Sequence, residues 1–266
     1  MENRFRMDLL RKLNRSEVWH SHVNLNGFQF QAPSLDRLAS LWLHKLGILG
    51  EEEFVFFSRV VRPGMTIAEV GANQGIYTLF LARLAAPGKV FAFEPEPIVY
   101  SQLVKNVRQN GAINVVCQPL AIANENKSSI LRPGSLNSGD NRIIVDEGAR
   151  AEDISVNATT LDSLFPHERV DLIKIDVQGF ELQVLQGARE VLNRNEEILL
   201  LLEFWPYGLH QCGSSASRLL AFLDENGFRL WRSSAGKLKK EEAKSLIQRQ
   251  RGKSYCNVIA ARKHPA

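Results

Sequence analysis

Short apolar segments alternate with helical segments along the middle of the chain. Runs such as TIAEV (66–70) and EILLLLEF (197–204) are apolar at nearly every position, which indicates strands buried on both faces. Further segments of this kind are KVFAFEP (89–95), NVVCQPLAI (114–122) and VDLIKIDV (170–177). Apolar residues at helical spacing lie over 76–86, 97–110 and 181–194. This alternation predicts an α/β fold with a mostly parallel sheet and helices on both faces.

The chain before residue 63 has a different pattern. It combines an amphipathic segment (1–15), an alternating stretch around Asn26-Gly27 that predicts a hairpin over 22–33, and helical segments over 34–49 and 51–61. We interpret 1–62 as an N-terminal cap of helices and a hairpin, and 63–266 as the main domain.

The main domain ends in a further helix and two strands, over 215–226, 228–232 and 256–262. Short strand-like pieces at 128–131, 141–145 and 154–158 interrupt the alternation. They lie in a segment that begins just beyond a strand end, where sheets of this type bind ligands. We therefore expect the insertion at about 124–169 to shape a pocket.

The composition is that of an ordinary globular protein, with 44% apolar and 23% charged residues among 266. Cys117, Cys212 and Cys256 are odd in number and lack metal-ligand spacing, which favours reduced thiols. The charged N-terminal segment has no apolar core of a signal peptide, and no apolar run is long enough to span a membrane. We expect a cytoplasmic protein.

The positive charge is concentrated near the C-terminus. Segment 232–253 holds eight Lys or Arg residues and two Glu residues, a net +6, whereas the whole chain carries +4. The basic residues are Arg232, Lys237, Lys239, Lys240, Lys244, Arg249, Arg251 and Lys253. A solvated helix and loop is the first interpretation, because no aromatic residues alternate with the charges; contact with an anionic substrate or nucleic acid stays open.

The stretch IAEVGANQGIYT (67–78) predicts a strand, a glycine turn and a helix, the usual frame of a nucleotide site. Gly71 and Gly75 are four residues apart, and the third glycine of a dinucleotide loop is missing. S-adenosylmethionine has no phosphate and needs a close backbone and polar groups instead. Asn73 offers amide hydrogen bonds, and Glu69 could accept one from the ligand's ammonium group or from loop amides.

Glu94 ends the next strand, 25 residues after Glu69, with Pro95 behind it. A carboxylate at this offset from a glycine turn can accept hydrogen bonds from both hydroxyls of a ribose. NAD would share this feature but would require the missing glycine. The adenine ring would then lie at the end of the third strand, where Pro119, Leu120 and Ala121 could form an apolar slot.

These motifs together resemble the FkbM-type family of class I S-adenosylmethionine-dependent methyltransferases. The resemblance rests on EVGANQGIYT (69–78), FAFEPEP (91–97), NVVCQPLAIA (114–123), TTLDSL (159–164), LIKIDVQGFELQVLQGA (172–188) and LLLEFWP (200–206). It implies a Rossmann-like sheet of seven strands with one antiparallel strand, S-adenosylmethionine as cofactor, and O-methylation of a small metabolite or glycan. The cofactor-binding residues are then Glu69, Gly71, Ala72, Asn73, Gly75, Tyr77, Thr78, Glu94, Pro95, Leu120, Ala121 and Asp176.

The chain departs from the family pattern at three places. Gln178 stands where members usually carry a glutamate, which puts a base at that position in doubt. Trp205 replaces the histidine of a frequent Glu-x-His-Pro motif, so no catalytic histidine is carried over. Glu69 replaces the commoner aspartate.

The catalytic candidates are two acids at strand ends. Asp176 could orient the acceptor, remove its proton or fix the methionine end of the cofactor, although it could also merely cap the following helix. Glu203 ends the next strand and is the second candidate. We interpret Glu181 as a surface acid that matches a helix dipole, and no cluster predicts a metal site.

Two alternatives stay open. The charge of 232–253 would suit a methyltransferase acting on RNA, but the chain lacks the Asn-Pro-Pro-aromatic motif with which base N-methyltransferases hold a ring nitrogen. Gln178 would suit a protein that binds the cofactor without turnover. The preferred partner is a small-molecule or glycan hydroxyl, and nucleic acid is not expected.

Overall fold

The computed structural model describes residues 22–31, 41, 45–47, 50–134, 141–145, 148, 150–234 and 237–265. The predicted helix over 1–15 and most of that over 34–49 lie outside the described residues. The division of the chain at residue 62 stays a prediction. None of the described helices is both long and apolar enough to cross a membrane.

The strands are β1 (His22–Leu25), β2 (Phe28–Gln31), β3 (Ile67–Val70), β4 (Val90–Phe93), β5 (Val115–Gln118), β6 (Ala121–Ile122), β7 (Lys127–Arg132), β8 (Arg142–Ile143), β9 (Ile154–Thr159), β10 (Leu172–Ile175), β11 (Leu199–Phe204), β12 (Arg229–Ser234), β13 (Lys237–Glu241) and β14 (Cys256–Ala261). The helices are α1 (Glu51–Val60), α2 (Ile76–Ala85), α3 (Pro97–Gln109), α4 (Leu161–Leu164), α5 (Glu181–Gln186), α6 (Arg189–Arg194), α7 (Pro206–Gln211), α8 (Ala216–Glu225) and α9 (Ala243–Arg249).

The main sheet has the strand order β13-β12-β14-β11-β10-β3-β4-β5. Strands β3, β4, β5, β10 and β11 pair in parallel, and β14 pairs antiparallel with both β11 and β12. Helices α1 and α2 pack on one face, and α5, α6 and α8 pack on the other. Without β13, this is the predicted Rossmann-like sheet of seven strands with one antiparallel strand, and the fold class is confirmed.

The eighth strand, β13, was not predicted. It pairs antiparallel with β12 at the edge of the sheet, and Lys237, Lys239 and Lys240 are exposed there. Because three of its five residues are lysines, β13 does not show the apolar pattern by which strands are predicted. Edge lysines also oppose pairing with another chain, which gives part of the basic segment a structural explanation.

Two predicted elements are divided in the structure. The segment 114–122 forms β5 in the main sheet and β6 in a second sheet, because Pro119 between them has no N–H for a ladder. The helix over 181–194 is divided at Gly187 into α5 and α6, and position 187 requires a glycine because a side chain there would overlap the Ala123 carbonyl. The insertion contributes the second sheet, in the order β6-β9-β7-β8.

The predicted hairpin is present as β1 and β2, with Asn26 at φ 52° and Gly27 at φ 83° in the turn. Its core residues Val23, Leu25 and Phe30 are buried against α2 and α3. Two asparagines of α3 bind its backbone. Asn110 exchanges two hydrogen bonds with Gln29, and Asn106 Oδ1 accepts one from the Gln31 amide.

Candidate functional site

The candidate site lies where the parallel strands end. The chain leaves β3 toward β4 on one side, and β10 lies on the other side of β3. In open α/β sheets such a switch point opens a crevice at the carboxyl ends of the strands, and ligands bind there. Two turns meet at this point, the first turn (residues 71–75) after β3 and the second turn (residues 176–180) after β10.

The five consecutive backbone amides of the first turn all donate hydrogen bonds within the protein. Their acceptors are the Phe93 carbonyl for Gly71 and Ala72, Glu94 Oε2 for Asn73, Asn73 Oδ1 for Gln74, and the Ala72 carbonyl for Gly75. A pyrophosphate cradle needs such amides to point at the ligand. The turn is therefore unsuited to a dinucleotide and fits a nucleoside without phosphate.

The glycines of the first turn are required by the protein itself. Gly71 has φ 83°, and a side chain there would overlap the carbonyl oxygen of Asp176. Gly75 has φ 89°, and a Cβ there would lie 2.8 Å from Leu103 Cδ1. Gly71 allows the two turns to meet, and Gly75 allows the turn to pack against Leu103 of α3; close approach of a ligand is not needed to explain either glycine.

Glu94 lies at the mouth of the first turn. Its Oε2 accepts from the Asn73 amide and its Oε1 from the Glu96 amide, each at 3.0 Å. Each carboxylate oxygen keeps acceptor capacity beyond one bond, so the fixed carboxylate can still bind hydroxyls. Partly buried Leu120 and Pro95 lie at the ends of neighbouring strands, whereas Ala121 is buried in β6. Glu94 is only 6% exposed, and its contact with the ribose, like that of Leu120 with the adenine ring, stays a prediction.

Glu69 points into the protein. Its side chain is 0% exposed, accepts a hydrogen bond of 2.6 Å from Thr78 Oγ1, and lies 3.9 Å from Lys174 Nζ. Burial raises the pKa of Glu69 to about 7, against the opposing effects of Lys174 and Thr78. Glu69 and Thr78 therefore support the turn from below, and direct contact of Glu69 with a ligand is not available in this conformation. Ala72 is likewise buried.

Lys174 is a charged residue of a buried strand that the sequence reasoning missed. It is the register partner of Glu69 and 4% exposed, and its Nζ lies 3.4 Å from Asp176 Oδ2 and 4.8 Å from the centre of the Tyr77 ring. Burial alone would lower the pKa of Lys174, but Asp176 and Glu69 outweigh it and raise that pKa. A lysine between Ile173 and Ile175 was the available signal.

Tyr77 packs between this lysine and helix α1. Its ring centre lies 5.2 Å from that of Phe54 and 5.9 Å from that of Phe57. Burial, with Glu53, Asp176 and other nearby groups, holds the pKa of the Tyr77 phenol well above its usual range. The predicted contact of Tyr77 with the cofactor stays a prediction.

The second turn brings both catalytic candidates together. The side chain of Asp176 is 40% exposed, whereas Glu203 is 8% exposed. Gln178 Nε2 donates to Asp176 Oδ1 at 3.1 Å and to Glu203 Oε2 at 3.0 Å. Asp176 is therefore held on one oxygen by an amide and on the other by Lys174, and it still faces solvent.

Glu181 is not the surface acid that the sequence suggested. Its side chain is 0% exposed, its Oε1 accepts from the Gly179 amide at 3.0 Å, and its Oε2 has no hydrogen-bond partner among the described residues. Burial raises the pKa of Glu181 to about 7. The sequence showed that Glu181 lies in the first turn of a helix. It did not show that the second turn (176–180) folds over this side chain and buries it.

Residues after β11 form one side of this edge. Trp205 Nε1 donates to the Lys253 carbonyl at 3.2 Å, and Lys253 Nζ lies 5.0 Å from the centre of the Tyr207 ring. Tyr207 is 37% exposed. The basic segment thus reaches the site at one point, Lys253, while Arg232 and Arg249 bind the buried carboxylate of Glu241.

The sequence model described as "Methyltransferase FkbM domain" matches residues 69–230, more than half of the chain. The chain belongs to the FkbM methyltransferase family. It is an S-adenosylmethionine-dependent methyltransferase, and its cofactor is S-adenosylmethionine.

Curated relatives carry related names. Methyltransferase sdnD of Sordaria araneosa is 28% identical over 64% of this chain and 75% of its own length. The 2-O-methyltransferase NoeI of Sinorhizobium fredii is 25% identical over 53% of this chain and 64% of its own. The match to the antimetabolite synthetase AmbE of Pseudomonas aeruginosa covers only 9% of that protein.

Solved structures show lower similarity. M. jannaschii TYW2 in complex with AdoMet superposes with a TM-score of 0.48 at 15% identity, over 92% of this chain and 86% of that one. A putative methyltransferase of Streptococcus mutans in complex with SAH gives 0.47 at 14% identity, over 79% and 95%.

Proposed function

We propose that this FkbM methyltransferase is an O-methyltransferase that acts on a hydroxyl group of a small metabolite or glycan. The observation that carries the proposal is the carboxylate of Asp176. It lies at the carboxyl edge of the sheet beside the first turn, it is anchored on both oxygens, and its side chain is 40% exposed. A relative named as a 2-O-methyltransferase supports a hydroxyl acceptor.

The first turn and its neighbours bind the cofactor in this proposal. Glu94 accepts the ribose hydroxyls, and Leu120 packs on the adenine ring. When bound, S-adenosylmethionine supplies an electrophilic methyl group on sulfur. Glu69, Thr78 and Lys174 hold the turn from the interior and do not touch the ligand.

Asp176 acts on the acceptor. Its exposed carboxylate accepts a hydrogen bond from the acceptor hydroxyl and takes the proton as the oxygen attacks. Alignment of that oxygen and exclusion of water supply the rest of the rate enhancement. Glu203 is the weaker candidate, because it is nearly buried and its Oε2 is bound to Gln178. Tyr207 and Trp205 would form a side wall of the acceptor site.

Cofactor binding is tested by calorimetry with S-adenosylhomocysteine. Glu94→Ala is expected to weaken binding by at least about tenfold, because two ribose hydroxyls lose a charged acceptor. Glu197→Ala, which removes an exposed carboxylate paired with Lys263, is the matched control and should bind as the wild type does. Unchanged binding by Glu94→Ala would refute the cofactor pose.

Turnover is tested with a panel of sugars, glycans and natural-product alcohols, measured as release of S-adenosylhomocysteine. Asp176→Asn should lower kcat by about 10²–10⁴-fold and change the Kd of S-adenosylhomocysteine by less than about threefold. A panel without turnover, together with intact cofactor binding, would instead favour the inactive cofactor-binding protein. A salt-sensitive shift of labelled RNA would favour the RNA alternative.

A further inference from the structure

Gln178 lies between the two acids of the second turn. Its amide nitrogen has two hydrogens, and each one points at a different carboxylate, Asp176 Oδ1 at 3.1 Å and Glu203 Oε2 at 3.0 Å. The two oxygens are therefore within about 6 Å of each other. Two ionised carboxylates this close repel each other, and a shared proton or a bound cation is one way to relieve that repulsion.

The amide removes the need for either. Its two hydrogens give each carboxylate a donor, and glutamine itself adds no charge to the pair. Lys174 supplies the cationic partner on the other oxygen of Asp176. Glu203 is 8% exposed, so a donor within its buried surroundings matters more than it would in water.

The backbone holds Gln178 in this place at a cost. Its φ is 54°, in the left-handed region that is unfavourable for residues with a side chain. The next residue, Gly179, has φ 105°, and a Cβ there would overlap the backbone of Gly208 in α7. Cys212 Sγ also contacts the Gln178 carbonyl at 3.7 Å. Strain of this kind persists where the surrounding structure enforces it, and such positions cluster at functional sites.

We propose that Gln178 is a positioning residue whose amide orients Asp176 and Glu203 and occupies the place that a shared proton or a divalent cation would otherwise fill. The assignment of Asp176 to the acceptor rests on the proposed function, but the state of the carboxylate pair does not. The titratable groups around the pair are Lys174 on β10, Glu69 on β3, Tyr77 on α2, Glu181 on α5 and Cys256 on β14.

The first test converts the amide into a third carboxylate. Gln178→Glu should create a site for a hard divalent cation, since three carboxylates would then converge. Titration of the cofactor-free full chain with MnCl2, followed by electron paramagnetic resonance, should show one Mn²⁺ bound at least about tenfold more tightly than by the wild type. The double variant Asp176→Asn, Gln178→Glu is the control and should lose that gain.

The second test removes the donors and keeps the shape. Gln178→Met has a similar volume and no N–H group. Carboxyl ¹³C resonances, followed through a pH titration, should show one acid of the pair retaining its proton to a pH at least one unit higher than in the wild type. Binding of S-adenosylhomocysteine, measured by calorimetry, checks that the first turn is intact.

Either of two results would overturn the proposal: an unchanged carboxyl titration in Gln178→Met, or Mn²⁺ binding by Gln178→Glu no tighter than by the wild type. Neither measurement includes an acceptor or turnover. An acceptor panel that yields no product would therefore refute the proposed function and leave this result standing.

Discussion

The two turns of the candidate site have similar backbone conformations, but the acid beside the first turn, Glu69, is buried, whereas the acid of the second turn, Asp176, is exposed. Each contains a glycine pressed against other backbone, Gly71 in the first turn and Gly179 in the second, and each contains one non-glycine residue at positive φ. The backbone amides of the first turn all donate hydrogen bonds within the protein. In the second turn, the side chains of Gln178 and Asp176 meet at the rim, where the carboxylate of Asp176 is exposed.

The difference indicates that the two turns have different roles. The first turn is bonded to β4, to the interior and, through Asn106 of α3, to the hairpin, and we propose that the cofactor binds on this preformed surface. The second turn stores backbone strain and carries the groups that we propose act on the acceptor. The more recognisable sequence motif lies in the first turn, although we expect the catalytic groups to lie in the second turn.

The largest expected effect comes from adding a side chain at the two glycines that lie against other backbone, Gly71 against Asp176 and Gly179 against Gly208. Gly71→Ala and Gly179→Ala should each destabilise the protein by more than about 3 kcal/mol, because the new methyl group overlaps a backbone carbonyl at a positive φ. Urea unfolding measures this. Gly111→Ala is the control: Gly111 has φ 62° with nothing within 4 Å, so the cost there should be about 1–2 kcal/mol. Equal costs at all three sites would show that φ alone matters.

The next effect tests the support of the first turn from outside. Asn106 is fully buried; its Nδ2 donates to the Gln74 carbonyl at 2.8 Å and its Oδ1 accepts from Gln102 and Gln31. Asn106→Ala should cost about 2–3 kcal/mol in urea unfolding, because buried groups lose partners. It should also weaken S-adenosylhomocysteine binding by about tenfold in calorimetry, because the turn loosens.

Asn110→Ala is the matched control for that change. Asn110 binds the hairpin backbone at Gln29 and is partly exposed, but it does not bond to the first turn. We expect a smaller loss of stability, about 1 kcal/mol, and unchanged cofactor binding. If both variants weaken cofactor binding equally, the hairpin rather than the Gln74 contact supports the turn.

Much of this arrangement could be predicted from the sequence. Acids after apolar strands indicated that Glu94, Asp176 and Glu203 lie at one edge, and Asn26-Gly27 indicated the hairpin. These are local signals, one strand end or one turn each. Pro119 was a similar local signal that the single strand over 114–122 had to end, and it was not weighted enough.

The remaining features depend on tertiary contacts. Nothing near Gln178 in the sequence shows that its amide reaches both acids, because Glu203 lies on another strand. The burial of Glu181 depends in the same way on the turn folding over it. Glu69 was predicted as a cofactor contact. Because β3 is buried on both faces, its apolar pattern does not show which way Glu69 points, and only the fold places it beside Thr78 of α2.

An effect of comparable size distinguishes the turns by pH. The pKa of Glu181 is raised to about 7 by burial, so its folded state favours the proton. Its contribution is therefore most favourable below the unfolded value near 4.5 and is lost as the pH rises through about 7, a change of about 3 kcal/mol.

Glu181→Gln should remove that part of the pH dependence, measured as the difference from wild type in urea unfolding between pH 5 and pH 8. Glu69 has the same direction of shift and stays in both proteins, so the difference isolates the second turn. Glu190 is exposed, so Glu190→Gln is the control and should leave the pH dependence of the free energy of unfolding unchanged. An unchanged slope in Glu181→Gln would mean that Glu181 ionises normally.

The smallest expected effect concerns the hydroxyl under the first turn. Thr78 Oγ1 donates to Glu69 Oε2 at 2.6 Å within the interior, and Thr78→Val removes that donor while keeping the shape. We expect a loss of about 1–2 kcal/mol in urea unfolding at pH 8, and a smaller loss at pH 5, where Glu69 is protonated and needs the donor less. Thr78→Ser should retain most of the stability. A loss in Thr78→Val that is equal at both pH values would mean that the first turn does not depend on the charge beneath it.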